Sequence, residues 1–504
     1  MKQQLINFFE MTGLTWFLPV VKFFAGEDPR HQVKELCKML GYPALAVILF
    51  FLTWSYMSTK VRTSVGQLPG PTYVWSQAKA MWSTHLSETV NKEESAKLEQ
   101  RRIEFNKLVS KRKALEKELK DSTKVNSQIK ILLGVTKKEM EFYDGQIGGF
   151  SKIHKDAEEK KNSEIDNVRQ EFVNKAAFKY DKDGKKTLDV DGQAKLNQAA
   201  MDTLSSMGYY RVAVYEGNMA RVYTSIQSSY KSLINKIEKI ETYYAKAAEL
   251  ASSTEKDAKK IAINNKRLFA FEKQLTKASD YQGNGSIVDY IKLSIITVLF
   301  GFFLAVIVAV PVGILCGLSP ALSMALNPLI QTFRPVSPLA WVLITMQFVD
   351  GIFVGDNALD GETFNNPFLV AGITVALCSL WPTLSNTALG VSSVDQDHLN
   401  VAKVLKLSWF DRVFKIVIPS AIPYIFTGLR ITLGVGWMVL IVSEMMATSR
   451  GLGWFIDLEY QNNKVESLAN IIVCIFIIGF VGAVLDRIMY TMQKLVSFSD
   501  EVSS

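Results

Sequence analysis

Four cysteines and four histidines in 504 residues leave little material for cross-links or metal chemistry. Cys37, Cys316, Cys378 and Cys474 are scattered, three of them in or beside apolar runs, so the chain has neither a disulfide framework nor a Cys-x-x-Cys metal motif. His31, His85, His154 and His398 are equally isolated, whereas zinc needs convergent ligands. No GxxxxGK[ST] run occurs, so a Walker A phosphate loop is absent and ATP is not held in that way. A nucleophile–base triad and a paired-carboxylate constellation are missing too. The expectation is a non-enzyme with no metal and no cofactor of its own. A cleavable signal peptide is also lacking: the first 24 residues carry Glu10, Pro19 and Lys22, and no small-x-small site follows. Residues 1–39 form the first segment, cytoplasmic or interfacial, opening with an amphipathic helix on the membrane surface.

The formal charge is +8, but its distribution is uneven. Residues 85–285 hold about two-thirds of the charged side chains and the whole positive surplus. Lys and Glu interleave there without aromatic clustering, which argues against nucleic acid as a partner. The rest is apolar enough to cross a bilayer, for which about 20 residues suffice. Six spans are read: Leu40–Met57, Ile287–Leu315, Ala321–Phe348, Phe368–Leu389, Ile422–Ala447 and Leu468–Ile488. Lys22, Arg30, Lys34 and Lys38 ahead of the first span place the N-terminus in the cytoplasm by the positive-inside rule. Alternation then puts Lys403, Lys406, Arg412, Lys415, Arg487 and Lys494 inside, and the purely acidic loop Asp350–Asn366 outside. Both termini are expected in the cytoplasm of a bacterial inner (plasma) membrane, with residues 85–285 periplasmic.

The expected fold class is all-α: a polytopic membrane bundle of about six transmembrane helices plus an extracytoplasmic coiled-coil hairpin. Residues 40–84 hold the first span and its flank, 85–285 the insertion, 286–497 the transmembrane core, and 498–504 a tail. Within the insertion Ile237, Ile240, Tyr244, Ala247, Ala251, Thr254, Ala258, Ile261, Asn265, Leu268 and Leu275 recur at spacings of three and four, with one charged step at Glu272, as a coiled-coil seam does. Leu98, Phe105, Leu108, Leu115, Leu119, Ile129 and Leu133 make a second seam. Two antiparallel arms are therefore expected, with a small tip domain near 134–223; an arm of about 45 helical residues reaches roughly 70 Å. The run DKDGKKTLDVDG (181–192) resembles a calcium loop, but Lys186 and Gly192 stand where an EF-hand has glycine and glutamate, so a pair of Asp-Gly turns is the better reading.

One stretch needs its own account. HLNVAKVLKLSWFDRVFKIVIPSAIP (398–423) is a basic, amphipathic segment between two apolar ones. Residues 396–415 read as short helical turns across the cytoplasmic mouth, with an apolar face from Val401, Ala402, Val404, Leu405 and Leu407. Lys403, Lys406 and Arg412 form a charged face, and Pro419 and Pro423 mark the start of the fifth span. This segment resembles the cytoplasmic loop of ABC-importer inner-membrane permeases, with Asn400-Val401-Ala402 at the EAA position, Lys406 at the glycine, and Ile416, Ile418 and Pro419 at the I-x-LP ending. Asn400 and Lys406 depart from that pattern. LPGPTYVW (68–75), NPLIQTFRPVSPLAWV (327–342), WPTLSNTALGV (381–391), IPYIFTGLRI (422–431) and DRIMYTM (486–492) are similar to the nitrate, bicarbonate, sulfonate and taurine branch of that family.

The resemblance implies a mechanism. Two permease subunits, expected to be a homodimer, form a path for a small anion. Cytoplasmic ABC ATPase subunits bind the ATP and grip the coupling segment, and a periplasmic solute-binding protein delivers the solute. The docking residues it implies are Asn400, Val401, Ala402, Lys403, Lys406, Arg412 and Pro419. On the path stand Arg334, Ser337, Trp341 and Glu444. Two roles fit Arg334: attracting an anion, or pairing with Glu444 to join two helices. Two also fit Glu444: gating the outward opening, or hydrogen bonding at a helix end. Gly434 and Gly436 fit helix contact. A different class of function also accommodates the insertion, namely an envelope scaffold or sensor in which a permease-derived bundle anchors a periplasmic coiled coil.

Overall fold

The computed structural model describes residues 29–63, 66–175, 178–180, 186–188, 209–253, 257–276, 285–353, 365–395, 404 and 407–502. They fall into two compact units, Met1–Val74 with Val288–Ser504, and Trp75–Ile287. The amphipathic helix expected over residues 1–24 lies outside the described residues.

In the insertion unit, α2 (Pro71–Lys117), α3 (Thr123–Lys175), α4 (Tyr209–Ser252) and α5 (Ala258–Thr276) pack around one apolar cluster. Phe105, Ile129, Ile237 and Ile240 are fully buried at its centre. Both seams supply this cluster, but neither forms a continuous arm. The first breaks at Leu119, which adopts a left-handed backbone (φ 56°) and is fully in solvent, before Asp121 caps α3 by accepting from the Thr123 N–H at 2.8 Å. The second breaks after Ser252, where the Asp257 carboxylate accepts from the N–H groups of Lys259 (3.1 Å) and Lys260 (3.3 Å). Each arm thus folds back on itself, α2 on α3 through the Arg101–Glu139 ion pair and α4 on α5 through stacked Tyr243 and Phe271. The boundary expected at Gly134 lies inside α3, and the helix runs on to Lys175. Strands β1 (Phe178–Tyr180) and β2 (Lys186–Leu188) pair antiparallel on either side of residues 181–185, which lie outside the described residues, as does most of the Asp-Gly run.

A buried cation fastens this unit. Arg112, 1% exposed, donates to Glu241 at 2.6 Å and to Asn126 at 3.2 Å, and its guanidinium lies 3.7 Å from the centre of the Tyr244 ring. The Tyr244 hydroxyl donates to Glu272 (2.8 Å), which also pairs with Lys113 (2.5 Å). Burial, with Glu272 beside it, pushes the Tyr244 phenol well above its ordinary range. All four helices meet at this network.

The membrane unit contains α1 (Pro29–Lys60), α6 (Ile287–Leu318), α7 (Pro320–Phe333), α8 (Pro338–Ile352), α9 (Asn366–Ser392), α11 (Ile418–Ala447), α12 (Leu452–Asn462) and α13 (Val465–Val502). Five described helices are long and apolar enough to span, and α7 with α8 makes a sixth only as a pair bent by 101°. The third predicted span is therefore a broken one. The cause is Arg334-Pro335-Val336-Ser337 followed by Pro338: neither proline has an N–H to donate, and Ser337, before Pro338, is extended (φ −60°, ψ 137°).

Apolar burial cannot drive helices together in lipid, so close approach and interhelical hydrogen bonds must do so. Gly301 and Gly317 of α6 sit directly against α9, where a β-carbon would strike the Gly372 carbonyl and the Val391 side chain. Gly428 of α11 meets the backbone of Thr383 in α9. Beside it the Thr383 and Thr432 hydroxyls, both fully buried, share a hydrogen bond of 2.7 Å. Thr432 also accepts the Thr383 N–H at 3.2 Å, where Pro382 disturbs the helical ladder. Gly436 packs near Val375, whereas Gly434 faces open space.

Candidate functional site

The break between α7 and α8 exposes Arg334 on an otherwise apolar pair of helices. Its side chain makes no hydrogen bond or ion pair among the described residues. Ser337 is the residue before α8 and provides no side-chain cap. Trp341, one turn into α8, lies 5.9 Å from Phe333, and Phe333 stacks on Trp381 of α9 at 6.4 Å and 10°. Both indole N–H groups are shielded and lack an acceptor. Arg334, Ser337 and Trp341 therefore share one corner, with Phe333 and Trp381 as members the sequence reading missed. Trp381 stood in a quoted motif, but nothing in its spacing pointed to Phe333.

Glu444 is elsewhere. It is fully buried near the end of α11, where the Ser294 hydroxyl of α6 donates to its carboxylate at 2.8–2.9 Å and the Gly453 N–H donates at 2.9 Å. The Leu452 N–H in turn donates to Ser294 Oγ at 2.9 Å. The Glu444 side chain and the serine hydroxyl thus satisfy the N-terminal amides of α12, as a capping group does. Glu444 makes the hydrogen bonds of a helix-end position. The expected pairing with Arg334 does not form, because these donors already surround the carboxylate. A β-carbon on Gly451 or Gly453 would collide with Glu444, so the RGLGW run (450–454) is the legible trace of this knot.

In the coupling segment, Asn400, Val401, Ala402, Lys403 and Lys406 lie outside the described residues. From Ser408 onward the geometry is clear. Its hydroxyl accepts from the Asp411 N–H at 3.1 Å and opens α10 (Trp409–Arg412), and Asp411 pairs with Lys415 at 2.7 Å. A π-helical turn, Val413–Val417, carries the chain into α11 without a break, so Trp409–Ala447 is one continuous helical run. Pro419 therefore lies within a continuous helical run, not at the fresh start expected from the sequence, and is exposed just after the π-helical turn. Arg412 is half-buried, and its Nε has no partner. Trp409, Phe410 and Phe414 stand out from the same turns, 49–67% exposed, as a surface without a cover in this chain.

Where α11 meets α13, Arg430 makes a two-pronged pair with Asp486 at 2.6 and 2.8 Å, and Tyr490 lies 5.2 Å from the guanidinium. Among the described residues no group of acidic, histidine and cysteine side chains is arranged to hold a metal ion.

Comparison with known proteins locates this architecture. Residues 309–497, from within α6 to the end of α13, match the family described as the binding-protein-dependent transport system inner membrane component. The bicarbonate transport system permease protein CmpB of Synechocystis is 43% identical over 198 residues, 39% of this chain and 64% of that protein. The nitrate import permease protein NrtB of Synechococcus elongatus is 36% identical over 207 residues, 41% of this chain and 69% of that relative. The taurine transport system permease protein TauC of Escherichia coli is 35% identical over 189 residues, 37% of this chain and 62% of that relative. The chain thus spans about two-thirds of the length of the relatives it matches, and the family match lies within the membrane unit. With its apolar helices, broken span and this similarity, the chain belongs to the family of binding-protein-dependent transport system inner membrane components, the multi-pass permease subunits of ABC importers.

Proposed function

We propose that this chain is the translocation subunit of an ABC importer for a small anion of the bicarbonate, nitrate or sulfonate kind. Two copies form the path, cytoplasmic ATPase subunits dock on residues 396–415, and a periplasmic binding protein delivers the solute. Both termini lie in the cytoplasm and residues 85–285 in the periplasm, as a coiled-coil insertion. The observation that carries the reading is the broken α7–α8 span inside the matched region, with an unpaired arginine at its corner. A cation in a membrane segment is costly unless it faces protein, water or an anion. Asn400, Val401, Ala402, Lys403, Lys406, Arg412 and Pro419 form the docking surface. Arg334, Ser337 and Trp341 line the path, while Glu444 braces the outer end of α11.

The test is uptake of radiolabelled bicarbonate, nitrate and taurine in cells that express the chain with its ATPase and binding protein. Saturable uptake of one of these anions that depends on the binding protein is expected, as is its loss in Ala402→Glu with membrane insertion unchanged. Uptake that survives Ala402→Glu overturns the docking assignment. Absence of uptake for every anion, with the complex intact, favours the scaffold instead.

A further inference from the structure

The first turns of α2 carry a stripe that the transport reading does not use. Trp75, Lys79, Trp82 and Leu86 follow at helical spacings, and Trp75 and Trp82 are 65% and 56% exposed. With Tyr215 and Glu216 of α4 they line a groove of about 580 Å³ with mainly apolar walls. The Lys79 ammonium lies 5.6 Å from the centre of the Trp75 ring. Glu216 Oε2 is shielded from solvent and has no hydrogen-bond donor. A carboxylate oxygen so placed lacks a cationic or N–H partner.

The stripe lies close in sequence to spanning segments: α2 opens soon after the first span, and Ser286, bonded to His85, precedes α6. At one end Trp54 of α1 donates its indole N–H to the Pro69 carbonyl at 3.1 Å, and Gly70 rests on Ser58, so α2 begins level with the last turns of a span. Trp75 follows Pro71 by four residues, about 6 Å of helix. At the other end His85 Nδ1 is 2.9 Å from the Ser286 hydroxyl, and the spanning helix α6 starts at the next residue. A helix segment that follows a span within a few residues, with paired tryptophans and a lysine on its open face, has the composition of an interfacial anchor.

We propose that this groove seats a phospholipid of the leaflet at the Lys60 end of α1, one whose headgroup carries both a phosphate and a primary ammonium. The tryptophans cover the glycerol and upper acyl region, Lys79 meets the phosphate, and Glu216 Oε2 accepts a hydrogen bond from the ammonium. The seat fixes the base of the insertion to the membrane. It rests on α1 and α6 spanning the bilayer, not on which anion is carried.

Quenching by brominated lipid tests this on the full chain in nanodiscs. The signal is the emission of the wild type minus that of Trp75→Phe/Trp82→Phe, two exposed positions where phenylalanine preserves the fold; helicity by circular dichroism checks it. Brominated phosphatidylethanolamine is expected to quench this difference signal at least twofold more than brominated phosphatidylglycerol at equal content. Glu216→Gln, nearly isosteric, is expected to abolish that preference, whereas a groove role limited to packing leaves it unchanged. Equal quenching by the two lipids overturns the headgroup assignment. Quenching by aqueous iodide but by neither lipid overturns the seat altogether and assigns the groove to a soluble partner.

Discussion

The Glu444 carboxylate accepts the Gly453 backbone N–H at 2.9 Å, which ties the end of α11 to the start of α12 inside a fully buried pocket that Ser294 of α6 closes. Three helices therefore depend on one acid. Its removal leaves the Gly453 amide and the Ser294 hydroxyl without acceptors, and each unsatisfied group costs about 1–3 kcal/mol.

Glu444→Leu is expected to lower the thermal midpoint of the purified protein sharply. Glu444→Gln, which keeps one acceptor oxygen, should fall between it and the wild type. Gly453→Ala acts by overpacking against Ile441 and Glu444, about 1–3 kcal/mol. Fluorescence-monitored size exclusion after heating ranks the three variants. Wild-type behaviour of Glu444→Leu contradicts the brace.

Thr383 and Thr432 permit a cleaner measurement, because both hydroxyls are buried and share one bond. Each single change to valine should cost about 1 kcal/mol, and the pair little more than one of them. A double-mutant cycle on thermal or chaotrope unfolding reads the coupling. Additive losses would mean the two hydroxyls do not cooperate.

Arg334→Gln removes the exposed cation at the α7–α8 corner while leaving its helix-capping backbone intact. Anion uptake should drop at least tenfold, with ATPase association and expression unchanged. Arg334→Lys keeps the charge and should retain most of it. Equal uptake by wild type and Arg334→Gln removes the residue from the path.

Asp257 holds the turn between α4 and α5 through backbone N–H groups, which pull its carboxyl below the ordinary value. A carboxyl whose folded value is depressed adds stability above its unfolded value, and that stability is lost as pH falls through the folded one. The protection of the Lys259 and Lys260 amides, measured relative to their intrinsic exchange rates, should therefore fall below about pH 4. Asp257→Ala should lower it at neutral pH and flatten the dependence.

The fate of Arg112 separates two views of the insertion. Replacing it by alanine strands Glu241 and opens a void under Tyr244, a loss of about 3 kcal/mol for a broken buried pair. Limited proteolysis of the insertion should accelerate accordingly. Arg112→Met, which fills the void without a charge, is expected to recover part of the loss.

Sequence alone fixed what depends on composition along the chain. Apolar runs of about 20 residues located the five unbroken apolar helices, because in a bilayer a helix satisfies its own backbone, but they did not show that the third run is broken. The charge contrast separated residues 85–285, and helical spacing named Phe105, Ile129, Ile240 and Leu275 as core. Resemblance of the motifs pointed to the family, which the comparisons then established. Turns were less legible: Ser252-Ser253 with Asp257, and Asp121 with Thr123, are local capping signals that a seam of matching period concealed. Partnerships were not legible at all. Whether Glu444 meets Arg334 or Gly453, and whether Phe333 bridges Trp341 and Trp381, depends on how helices far apart in sequence pack. In lipid that packing is set by where a glycine lets two backbones touch and where a hydroxyl or carboxylate finds a donor, and only the assembled bundle brings those groups within reach.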